Sequence, residues 1–206
     1  MGLSIHYSFN SGICSTVEVL DILKRLRDQT HWLAFHEVDA QITHLSEDDC
    51  KPSAGENPSS FLTFAASRFD PINLAVQTPE QIVGFMALPR PGSETLPIFL
   101  AQYPKSQEWI ASGHCKTFFA SLPKYGGIAN FVLAHTMVVE VLSQAQRLGI
   151  LESVSDESGY WEERNFLCLA DKAEMLTLAD EIIREAKSMP SDFVSSLVER
   201  IKSADR

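Results

Sequence analysis

The sequence has few basic residues and no long hydrophobic run. Among 206 residues, 17 Lys and Arg face 27 Asp and Glu, which gives a net charge of −10. A chain of this charge repels phosphate backbones, so we expect no nucleic-acid partner. The most apolar segment, 128–142, is interrupted by Asn130, His135 and Glu140. It is shorter than the ~20 residues that a membrane span needs, so we expect no membrane association.

Cysteine is also scarce, and no two cysteines form a Cys-x-x-Cys pair. The four thiols belong to Cys14, Cys50, Cys115 and Cys168. This spacing disfavours zinc ribbons and redox dithiols, and it fits free thiols in a reducing compartment. The first residues include no basic stretch followed by a long apolar one, so a secretory signal is not indicated. We therefore expect a cytoplasmic protein without a metal ion or another cofactor.

The first half of the chain predicts one helix among several strands. Residues 3–9 alternate between apolar and polar, which predicts a strand. Ser15 and Glu18 form a capping-box pattern ahead of apolar residues at helical spacing, which predicts a helix over 16–30. Alternation predicts a second strand over 33–42. Four further apolar runs are separated by Pro and Gly, as in an antiparallel meander; they cover 61–66, 82–88, 96–102 and 115–120.

The remaining segments predict loops and helices. Residues 46–60 combine acidic residues with Pro and Gly, which predicts a mobile loop. Residues 128–148 are apolar on nearly every side and predict a central buried helix, followed by a short strand over 150–154. A helix capped by Asn165 follows, and Pro190 ends it. We predict one α+β domain over 1–190, a mostly antiparallel sheet packed on these helices, and an amphipathic helix over 191–206 packed on the domain.

No complete catalytic motif is present. His36-Glu37 begins like a zincin motif, but Ala40 stands where the second histidine is needed. The chain has neither Walker A spacing nor a Gly-x-Ser-x-Gly elbow. His135 lies within the most apolar helix, and we expect a core histidine bonded to a backbone carbonyl.

Two places in the sequence carry side chains of the types that serve in catalysis and ligand binding. Lys116 lies within a predicted apolar strand, where a lysine reaches solvent, pairs with a carboxylate or marks a site. In the segment 156–164, Asp156 and Glu157 precede Tyr160 and Trp161. The carboxylates suit acid and base roles, and the aromatic rings suit stacking on a ligand. Alternatively, this acidic segment stabilises the N-terminus of the helix that follows.

Three segments carry a resemblance to a family. They are Gly-Leu-Ser-Ile-His-Tyr at 2–7, Lys-Thr-Phe-Phe-Ala at 116–120, and Asp156-Glu157 followed by Tyr-Trp-Glu at 160–162. Together they resemble an uncharacterised family of bacterial proteins, which brings no known activity. Ser158 stands where that family has a glycine directly after the acidic pair, and Gly159 follows.

The three segments each end a predicted strand or begin a predicted helix, so we expect them to converge. The hypothesis is a site in which His6, Lys116, Asp156 and Glu157 meet at one end or face of the sheet, with Tyr160 and Trp161 at its rim. The first functional hypothesis is a binding or protein-interaction module without catalytic activity. The alternative is a small-molecule hydrolase or lyase in which Asp156 or Glu157 is the general base. A protein partner or a homodimer is also open.

Overall fold

The computed structural model describes residues 3–52, 58–70 and 74–188. Its strands are β1 (Ser4–Ile13), β2 (Glu37–Val38), β3 (Thr43–Ser46), β4 (Arg68–Asp70), β5 (Ala75–Gln77), β6 (Gln81–Leu88), β7 (Leu96–Gln102), β8 (Glu108–Lys116) and β9 (Leu151–Asp156). Its α-helices are α1 (Thr16–Trp32), α2 (Pro58–Ala66), α3 (Gly127–Arg147), α4 (Tyr160–Glu163) and α5 (Phe166–Ser188). Short 3-10 helices cover Glu47–Cys50, Phe118–Ser121 and Pro123–Tyr125.

Seven strands form one sheet, in the order β2-β6-β7-β8-β1-β9, with β3 also paired to β6. The strands β4 and β5 form a separate hairpin. All strand pairs within the described residues are antiparallel. The predicted fold class is therefore confirmed: the chain forms a single α+β domain with a mostly antiparallel sheet.

The two faces of the sheet differ in what covers them. On β1, Ile5, Tyr7 and Phe9 are buried on the face that we call the helical face, where α1 and α3 pack. On the opposite face, which we call the open face, β1 carries His6 and Ser8. The helix α2 packs over β6, β7 and β8 on the open face and leaves the β1 and β9 end uncovered. This division decides which side chains can meet a ligand.

Several predicted elements are confirmed. The capping box at the start of α1 is present, because Ser15 Oγ accepts from the Glu18 N–H and Glu18 Oε2 accepts from the Ser15 N–H. The predicted central helix is α3, and Asn165 Oδ1 accepts from the N–H groups of Leu167 and Cys168 at the start of α5. Within the described residues, α3 is the one helix long and apolar enough to cross a membrane, and half of its most apolar stretch is buried, as in a core helix.

Four predictions about local structure are wrong in whole or in part. The run 61–66 belongs to the helix α2, because a short apolar run suits a buried helix as well as a strand. The strand predicted over 33–42 is reduced to Glu37–Val38. The strand predicted over 115–120 ends at Lys116, and a 3-10 helix follows. The predicted loop 46–60 contains a 3-10 helix over Glu47–Cys50 and the start of α2. The helix predicted over 191–206 lies outside the described residues.

Gly84 fixes the distance between β6 and β7 under α2. A Cβ at this position would lie 2.8 Å from the Ile98 carbonyl oxygen and 2.9 Å from the Phe99 Cα. We expect Gly84→Ala to lower the free energy of unfolding by about 1–3 kcal/mol, because backbone atoms must move apart to admit the methyl group. Urea-induced unfolding measures this difference. Equal stability of the two proteins would contradict the packing described here.

Candidate functional site

The pairing of β1 with β8 and β9 decides on which face of the sheet His6, Lys116 and Asp156 lie. His6 of β1 lies opposite His114 of β8, and Lys116 lies opposite Ser4 on the same face as His6. Asp156 of β9 lies opposite Ile5, whose side chain points to the helical face. His6 and Lys116 therefore stand on the open face, and Asp156 stands on the helical face.

The predicted convergence of the four residues is therefore wrong for Asp156. The side chain of Asp156 has no exposed surface, whereas His6 is exposed on the far side of the sheet. Glu157 is exposed and binds the start of β1: its Oε2 accepts from the Ser4 N–H at 2.8 Å, and its own N–H donates to the Ser4 carbonyl. The four predicted site residues therefore do not share one cleft, because successive residues of a strand point to opposite faces of the sheet.

The predicted rim residues also lie on the helical side. Tyr160 is buried, with its ring edge-on to the His135 ring at 6.1 Å and 5.2 Å from the Phe166 ring. Trp161 is half-buried under the guanidinium of Arg164, which lies 4.7 Å from the centre of its ring. These rings pack around the end of β9.

Asp156 belongs to a buried polar network centred on His135. The Nε2 atom of His135 lies 3.1 Å from Asp156 Oδ2 and 2.9 Å from Ser158 Oγ. On the other side of the ring, Nδ1 lies 2.8 Å from Thr117 Oγ1. Asp156 further accepts from the N–H groups of Ser158 and Trp161, both at 2.8 Å, and from Ser158 Oγ. The network joins α3, β9, α4 and the end of β8.

The network stabilises the charged form of Asp156. Burial by itself raises the pKa of this carboxyl group, but the hydrogen bond and charge of His135, together with the hydrogen bonds from Ser158, lower the pKa to about 2. Among the described residues, every fully buried side-chain nitrogen and oxygen has a hydrogen-bond partner. A fully satisfied polar network of this kind favours a single arrangement of the core around it.

This network has the residue types of a catalytic triad but not its geometry. In a serine hydrolase, the serine and the carboxylate bind opposite nitrogens of the histidine. Here Ser158 and Asp156 bind the same nitrogen. The side chains of His135 and Asp156 have no exposed surface, and Thr117 and Ser158 are also buried. A group that acts on a substrate must come within hydrogen-bond reach of it, so this arrangement serves the fold.

The expectation for His135 is half right. The residue is a core histidine, but it binds a hydroxyl and a carboxylate instead of a backbone carbonyl. The one sequence signal for this network is the Asp-x-Ser spacing of Asp156 and Ser158, which is typical of a turn in which the carboxylate accepts from the N–H two residues on.

The network predicts how stability depends on pH. The pKa of Asp156 is lowered to about 2 in the folded protein, from about 3.9 in the unfolded chain. The charged carboxylate therefore stabilises the fold at pH values above its unfolded pKa, and this stabilisation is lost as the pH falls toward the folded pKa. We expect Asp156→Asn to lower the free energy of unfolding at neutral pH by roughly 2–3 kcal/mol. The difference should shrink as the pH falls from about 4 to about 2.

Denaturant unfolding of both proteins across this pH range measures the effect. The control is Glu152→Gln, because Glu152 is exposed on the same strand and its substitution should leave stability nearly unchanged. A difference between Asp156→Asn and the unchanged protein that stays constant down to the lowest pH would contradict the role given to the carboxylate.

The open face carries a cavity that the sequence did not predict. It has a volume of about 1100 Å³ and lies between α2, the β4 and β5 hairpin and the sheet. Most of its wall is apolar and comes from Phe61, Phe64, Phe69, Val76, Met86 and Pro97. Its polar lining includes Asp39, Arg68, Glu94, Ser112 and His114. The sequence does not predict this cavity, because a strand over 61–66 provides no helix to roof the sheet.

The imidazole ring of His114 lines this cavity, and the ring of His6 lies beside it. The rings of His6 and His114 stack with centres 5.7 Å apart, and His114 Nε2 lies 3.7 Å from Glu94 Oε2. Two of the predicted site residues, His6 and Lys116, lie on this face near the cavity but do not line it. Among the described residues, no three His, Cys, Asp or Glu side chains are placed to hold a metal ion.

Comparisons with models of protein families, with curated proteins and with solved structures find no match for this chain. The resemblance to an uncharacterised bacterial family stays a prediction from the sequence.

Proposed function

We propose that the protein is a binding module without catalytic activity, and that its ligand site is the cavity on the open face. The observation that carries this proposal is the cavity itself, which has a volume of about 1100 Å³ and a mostly apolar wall. Small-molecule sites in proteins are concave, mostly apolar and equipped with a few polar groups. A few polar side chains interrupt the apolar wall of this cavity, which matches that description.

The exposed apolar side chains support the same proposal. The exposed fractions are 58% for Phe61, 78% for Phe64, 65% for Phe69 and 61% for Val76. All four line the cavity, so they form one continuous patch instead of being scattered. Continuous exposed apolar surface on a folded domain marks an interaction or ligand site. A ligand that covers these rings removes apolar area from water and gains free energy for doing so.

The alternative of a hydrolase or lyase at the sheet end has less support. It needs an acid and a base that reach the same substrate. Asp156, its first candidate base, is enclosed on the helical face, whereas His6 and Lys116 stand on the open face. The buried carboxylate is already held by four hydrogen bonds from protein groups. The expectations of a cytoplasmic location and of a protein partner or homodimer stay predictions from the sequence.

Binding of an apolar probe tests the proposal. Nile red is uncharged, and its fluorescence rises when it enters an apolar site, so a saturable rise on titration of the protein is expected. We expect Ser112→Trp to weaken this binding, because Ser112 lines the cavity and the indole would occupy part of it. The matched control is Ser155→Trp, since Ser155 is also exposed on the open face but does not line the cavity.

The control variant should bind the dye as the unchanged protein does. Absence of saturable binding to the unchanged protein would contradict the proposal. Equal loss in both variants would contradict the assignment of the site to this cavity.

A further inference from the structure

Arg68 is a cation at the wall of the apolar cavity. It begins β4 and is half-buried, with its guanidinium 4.5 Å from the centre of the Tyr103 ring. None of the ion pairs within the described residues includes Arg68. A partly desolvated guanidinium that has no carboxylate partner within the described part of the chain gains most from a ligand that supplies one.

The acidic groups of the cavity lie at its other end. Tyr103, under Arg68, directly follows β7, whereas Glu94 precedes β7 by two residues. Asp39 lies at the same end as Glu94, because its Oδ2 accepts from the N–H of Met86 at 2.8 Å, and Met86 pairs with the second residue of β7. Seven residues of strand span about 20 Å, so the cation and the acids are well separated.

Both acidic groups already have protein partners. Asp39 accepts from the Met86 N–H, and Glu94 Oε2 accepts from the Lys116 N–H at 3.0 Å while it faces the His114 ring. Arg68 is thus the charged group of the cavity that has no oppositely charged partner within the described part of the chain. The apolar rings of Phe61, Phe64 and Phe69 line the same cavity.

We propose that the ligand is an apolar acid, with its carboxylate on Arg68 and its hydrocarbon body along the aromatic wall. The inference rests on the proposed function, because it names the class of ligand for the same cavity. The planar guanidinium matches a carboxylate with two parallel N–H···O bonds, and stacking on Tyr103 holds it in place for that contact. The hydrocarbon body gains free energy in proportion to the apolar area that it covers.

Three ten-carbon probes that differ only in the head group test this inference. Decanoate, decan-1-ol and decylammonium are titrated at neutral pH against the protein loaded with Nile red, and displacement of the dye reports their affinities. We expect decanoate to bind about tenfold more tightly than decan-1-ol, because of the charge-assisted pair, and decylammonium to bind most weakly.

The variants separate the cation from the apolar wall. Arg68→Gln should weaken decanoate about tenfold and leave decan-1-ol unchanged, and Arg68→Lys should restore part of the affinity for decanoate. The matched control is Arg25→Gln, because Arg25 is exposed on α1 and paired with Asp21. It should change neither affinity.

The outcomes distinguish the two proposals. If decan-1-ol binds the unchanged protein as tightly as decanoate does, the carboxylate inference is overturned and the apolar binding site stands. Loss of both affinities in Arg68→Gln also overturns the inference, because it makes the residue a structural one. If neither Nile red nor any of the three probes binds, the proposed function fails and the inference fails with it.

Discussion

The alternation of side chains along β1 is the constraint on which the rest of the structure depends. This strand lies between β8 and β9, and its register with both decides the face on which each neighbouring residue stands. Ile5, Tyr7 and Phe9 fix one face as the core, so the residues opposite them also point inward. A shift of one residue would exchange the two faces.

The two faces are built for different purposes. On the helical face, His135 and Asp156 join the longest buried helix to the edge strand, and all of their polar atoms are satisfied by protein groups. On the open face, α2 roofs only part of the sheet and presents aromatic side chains to solvent. The polar network on the helical face is enclosed, and the incomplete roof leaves a cavity on the open face.

The features that the sequence could predict depend on local patterns. The alternation of 3–9 predicts β1 and its buried face, the Ser15 and Glu18 box predicts the start of α1, and the apolar run from 128 predicts α3. Each signal lies within a few residues of the element that it specifies. The α+β class follows from the order of these elements, and no long-range information is needed for it.

The features that the sequence could not predict depend on pairings between distant segments. The face of Asp156 is decided by its register with Ile5, about 150 residues away in the chain, and no local pattern encodes a register of that range. The contact between His135 and Asp156 could not be predicted for the same reason, because it joins two separate elements of the chain. The run 61–66 is too short for its periodicity to distinguish a helix from a strand, so the roof of the cavity was missed.

We propose that the open face binds an apolar acid, whereas the helical face is closed. A crystal structure of the protein grown with decanoate tests this claim most directly. The account predicts density for the hydrocarbon chain between α2 and the sheet, with the carboxylate within hydrogen-bond distance of the Arg68 guanidinium and the His135 and Asp156 pair unchanged. Density for the acid beside His135 and Asp156, or a cavity filled by protein side chains, would contradict it.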